Sequence, residues 1–131
     1  VIAVSRQETY EYVLLEEQGA AAPANPTIWR YAPLTMVEAS EIRDLLGLHA
    51  RSEGIPLGSM ERKLLRKLTG WSNFRDEQAN EVAWEKGQDG FVLESLLVRI
   101  PADARAELAS EIWKTRGITK EEEKNLLSQS R

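Results

Sequence analysis

The chain has 131 residues, 42% hydrophobic and 29% charged, with 17 basic and 21 acidic side chains and a net charge of −4. That length and balance describe one folded unit, long enough to bury roughly two-thirds of its unfolded surface, and argue against a disordered chain. With no cysteine in it, disulfides and thiolate metal sites are excluded, and the acidic balance supplies no global attraction to nucleic acid.

The apolar runs are only a few residues long, far short of the roughly 20 needed to span a bilayer. The N-terminal VIAVSRQETYEY has no basic start followed by a long apolar stretch, which predicts synthesis in the cytoplasm.

Residues 8–15, ETYEYVLL, alternate Tyr10, Tyr12 and Leu14 with Glu11, Val13 and Leu15, the period of a strand. The EEQGAAAPANP stretch over 16–26 reads as an exposed loop. Thr27–Ala32 then set Ile28, Arg30 and Ala32 against Thr27, Trp29 and Tyr31, so an antiparallel ribbon over 8–33 is predicted. Two strands alone are marginal in water. The ribbon therefore has to lie on helices, gain a third strand or join a partner's sheet. No internal repeat is visible.

Thr35 and Glu38 form a Thr-x-x-Glu capping box, with Leu34 and Ala39 placed as a staple. The helix they open has Met36, Ala39, Ile42, Leu45 and Leu46 as its apolar stripe and Gly47 as its stop. A loop is expected over 48–58, with His49, the only histidine, at its start; without a partner of its own kind it reads as structural or exposed. Ser59 caps a second helix over 59–69, apolar through Met60, Leu64, Leu65 and Leu68 and basic through Arg62, Lys63, Arg66 and Lys67, with Gly70 closing it.

Gly70–Trp84, GWSNFRDEQANEVAW, holds two of the four tryptophans and one of the two phenylalanines. Phe74–Gln78 and Asn80–Trp84 suit a short hairpin turning through 77–80, in which Asn80 tolerates a left-handed backbone. FVLESLLVRI leaves helix and strand both open, a helix over about 91–98 being favoured. Pro101 suits the first position of another, with Ala104, Leu108, Ile112 and Trp113 on one face, Arg105, Glu107 and Lys114 outside, and Gly117 at its end. Thr119 opens a last helix with a second capping box, and the SQSR tail frays.

The predicted architecture is α+β in a single domain over 1–131. An N-terminal antiparallel ribbon (8–33) precedes a helical remainder (35–128) of four to five short helices, with an aromatic hairpin or loop over 70–85.

Charge falls in adjacent blocks. Residues 59–75 carry a local +4 and residues 76–94 a local −5, which predicts an internal ion-pair surface or head-to-tail contact between copies, the internal reading being favoured.

Little chemistry survives inspection. There is no nucleophile elbow, no phosphate-cradling glycine loop and no second histidine to build on. Asp76, Glu77 and Glu81 lack the spacing of a calcium loop. The 12 residues between the first two helices exceed the turn of a helix-turn-helix. No catalytic residue, cofactor or metal ligand is therefore predicted, and an interaction protein is the leading class. Its contact residues are expected among Trp29, Tyr31, Trp71, Phe74 and Trp84, with Arg62, Arg66 and Lys67 steering an acidic partner. Burial of these aromatics in the domain's own core is the open alternative.

The segments TYEYVLLEE, PTIWRYAPLT, GWSNFRDEQANEV and ITKEEEKN span most of the chain, and in them it resembles small non-enzymatic proteins of the morphogenesis modules of tailed bacteriophages. Where such proteins favour Gly in an Asp-x-x-Gly-Asn turn, this chain has Ala79. The resemblance implies a virion structural or assembly role: minor capsid, decoration or connector component, made in the host cytoplasm and bound to other phage structural proteins or to copies of itself. A tail-assembly chaperone is the alternative within that setting. A small DNA-binding regulator using helix 59–69 is the alternative outside it.

Overall fold

The computed structural model describes residues 9–19, 23–50 and 57–116. Within them the two alternating segments pair antiparallel. β1 (Tyr10–Tyr12) sets Tyr10 against Tyr31, Glu11 against Arg30 and Tyr12 against Trp29 of β2 (Ile28–Tyr31). Successive side chains point to opposite faces. Trp29 and Tyr31 are buried accordingly, while Arg30 and Glu11 form a 3.5 Å ion pair on the other face. β1 is shorter than expected: beyond Leu14, which still reaches the core, Leu15–Glu17 wind into one 3-10 turn.

The ribbon gains its third strand from its own chain. β3 (Leu68–Ser72) runs antiparallel to β2, giving the order β1-β2-β3. This corrects the expected helix over 59–69. α2 spans Leu57–Leu65, and Gly70, expected to close it, lies within β3 opposite Arg30. The open edge of β2 and the burial of Leu68 and Trp71 beside Tyr31 and Trp29 override the local helical pattern. A register shift between Arg30 and Tyr31 leaves Thr69 as the extra residue of a bulge, facing solvent.

The capping box forms as expected: the Glu38 N–H donates to Thr35 Oγ1 (3.1 Å) and the Thr35 N–H to Glu38 Oε1 (2.9 Å). α1 (Met36–Ala50) passes straight through Gly47 and takes in the first residues of the expected 48–58 loop. A glycine in a helix costs about 1 kcal/mol relative to alanine, which is too little to end it alone. His49 lies on the last turn of α1; its side chain, residues 51–56, Gly117 and the expected helix from Thr119 lie outside the described residues.

Between β3 and the next helix the chain makes two hairpins of one design. In the first, Arg75 bridges Glu81, the Asp76 N–H donates to the Asn80 carbonyl (2.9 Å) and the Ala79 N–H to the Asp76 carbonyl (3.0 Å). Eleven residues on, Lys86 bridges Val92, the Gly87 N–H donates to the Phe91 carbonyl (2.7 Å) and the Gly90 N–H to the Gly87 carbonyl (3.1 Å). The fourth turn residue has positive φ in both, 63° at Ala79 and 84° at Gly90. The first turn thus falls one residue earlier than predicted, with Ala79 rather than Asn80 in the left-handed region. The second hairpin takes Phe91 and Val92 from the expected helix, leaving α3 as the single turn Glu94–Leu97. An internal structural repeat is therefore present where none was visible in the residues.

Pro101 immediately precedes α4 (Ala102–Trp113), its carbonyl accepting the Arg105 N–H at 2.9 Å. Ala104, Leu108, Ala109 and Ile112 form the buried face of α4. Glu107, expected outside, instead takes up two donors of the ribbon: the Tyr12 hydroxyl (2.6 Å) and the Leu15 N–H (2.8 Å) meet on its Oε2. Arg105 likewise turns inward to an ion pair with Glu61 of α2 (3.0 Å). The described residues thus form an α+β fold, a three-stranded antiparallel sheet with four α-helices, whose core joins the sheet, both hairpins and α1 to α4.

Candidate functional site

The aromatic residues collect on the inner face of the sheet. The Trp29 ring meets Trp71 edge-on at 5.6 Å and Phe74 at 5.1 Å, and Trp71 meets Phe74 edge-on at 5.4 Å. Such tilted contacts suit the quadrupoles of the rings. Trp71 Nε1 donates to the Val82 carbonyl at 2.6 Å, tying β3 to the return strand of the first hairpin. Tyr10 stacks on Tyr31 at 5.7 Å. Burial, with the nearby Glu111 carboxylate and Tyr10 adding to it, pushes the Tyr31 phenol up to about 12.

Trp29, Tyr31 and Trp71 are therefore core residues and present no surface to a partner. Phe74 and Trp84 are half-buried against the same core. The buried indole N–H groups of Trp29 and Trp84 find no hydrogen-bond acceptor among the described residues.

The basic residues follow the favoured internal reading of the charge blocks rather than standing free to steer a partner. Each of the four meets an acid of its own chain: Lys67–Glu38 at 2.8 Å and Lys63–Glu41 at 3.5 Å on the α1 side, Arg66–Asp89 at 3.4 Å and Arg62–Glu94 at 3.9 Å on the hairpin side. The Arg66 guanidinium also lies 4.5 Å over the Phe91 ring. The adjacent charge blocks thus meet within the molecule at Arg62 and Arg66, while the two lysines turn to α1. Partial burial raises the Glu38 carboxyl, but hydrogen bonds from Lys67 and from the Thr35 N–H and hydroxyl outweigh it and hold the carboxyl below its ordinary range.

An open cleft of about 50 Å³ lies among these groups, lined by Glu38, Glu41, Ile42, Lys63, Arg66 and Phe91. That is far below the roughly 300 Å³ at which small-molecule pockets begin. Its charged walls are already paired, Glu41 with Lys63 across the cleft, Glu38 with Lys67 and Arg66 with Asp89.

The exposed apolar residues are elsewhere. Met36, expected in the buried stripe of α1, is 81% exposed, and Val37 beside it is 66% exposed. At about 100° per residue, Val37 stands roughly 170° round the helix from the midpoint of Ala39 and Ile42, and Met36 about 90°. The signal was legible for Val37, which stands opposite the Ala39–Ile42 stripe, whereas Met36 lies at the stripe's margin, where neighbouring elements decide its burial. Leu15 and Val98 are exposed as well.

Among the described residues no group of three or more His, Cys, Asp or Glu side chains is placed to hold a metal ion. No helix among them is long and apolar enough to cross a membrane. Comparison with protein-family profiles, with curated proteins and with solved structures finds no match.

Proposed function

We propose that the chain is a non-enzymatic protein–protein interaction module, a structural or assembly component of a tailed-bacteriophage particle of the minor capsid, decoration or connector type. Its partners on this reading are other phage structural proteins or copies of itself, in the virion or in an assembly intermediate. The observation that carries an interaction role is the Met36–Val37 pair, held outward on the first turn of a helix whose start is fixed by a complete capping box. An exposed apolar patch on a rigid element is the kind of surface that a protein contact covers. The phage setting rests on the four sequence segments that resemble morphogenesis proteins.

A nucleic-acid role has less support, because the basic residues that would track phosphates are paired internally. Light scattering on size-exclusion fractions tests the reading, with the wild type set beside Met36→Glu/Val37→Lys. Association that rises with concentration in the wild type and disappears in the variant, at unchanged thermal stability, is the expected result. A strict monomer would count against a multimeric shell component and favour the tail-assembly chaperone. Association that persists in the variant would remove α1 from the contact.

A further inference from the structure

We draw no further inference here: the strongest candidate, the exposed apolar patch of Met36 and Val37 on the first turn of α1, already serves the proposed contact, and nothing in the structure shows what covers it.

Discussion

Ala79 holds φ at 63°, a conformation that costs an L-residue with a Cβ about 1–2 kcal/mol and a glycine almost nothing. Gly90 occupies the equivalent place in the second hairpin, at 84°. The two turns therefore predict opposite outcomes for opposite substitutions. Ala79→Gly should stabilise the protein by about 0.5–1 kcal/mol, the relief of strain being partly offset by the greater freedom of glycine in the unfolded chain. Gly90→Ala should destabilise it by about 1 kcal/mol, although open space surrounds the added methyl. Urea unfolding with unchanged m-values measures both, and a destabilised Ala79→Gly would refute the turn geometry.

Glu38 gives a second test at this scale. Its folded carboxyl is held below its ordinary value of 4.5, so on acidification the unfolded chain takes up the proton first. The stability it contributes is complete above about 4.5 and is lost as the pH falls through the lower folded value. The stability gap between wild type and Glu38→Gln should accordingly be full near neutrality and close in acid. A gap that stays constant across an acid titration would contradict the pairing with Lys67.

Glu107 works between elements, binding the ribbon to α4 through the Tyr12 hydroxyl and the Leu15 N–H. Glu107→Ala removes the acceptor of both. A cost of about 1–3 kcal/mol is expected, the range for stranding a partly buried donor. Amide exchange should accelerate first in β1 and the turn after it, since only three residue pairs hold β1 to β2. Uniform acceleration throughout the sheet would mean that Glu107 is not a local anchor. The ion pairs of Arg62, Lys63 and Arg66 belong to the same scale but carry less: exposed pairs are worth about 0–1 kcal/mol each. They fix how α1 and the second hairpin sit against α2 and the turn after it more than they stabilise the fold.

For the molecule as a whole, the charge arrangement predicts behaviour toward DNA. A protein that tracks phosphates with several free cations loses affinity steeply with salt. Here Arg62, Lys63, Arg66 and Lys67 are engaged by Glu94, Glu41, Asp89 and Glu38. A salt-titrated binding assay should therefore show no sequence-selective complex, and a selective, salt-resistant one would revive the DNA-binding alternative. On the other side, the outward apolar pair on α1 leaves self-association as the property most informative about function, as the light-scattering comparison is designed to read.

Local chemistry settled a good part of this fold from the residues alone. The alternation of Tyr10 and Tyr12 with Glu11 and of Trp29 and Tyr31 with Arg30, the Thr35–Glu38 box, the acid-rich turn after Phe74 and the apolar spacing of α4 each need only near neighbours along the chain. Their outcome follows from backbone periodicity and short-range hydrogen bonds. Leu68–Ser72 had no such determinant. Those residues became a strand because β2, some forty positions earlier, offered an unpaired edge and a buried aromatic face. The same long-range packing drew Trp29, Tyr31 and Trp71 inward, spent Arg62, Lys63, Arg66 and Lys67 on neighbouring acids and left Met36 outside. Which rings are covered and which charges are neutralised depends on elements meeting in space, and periodicity along one segment carries no information about that meeting.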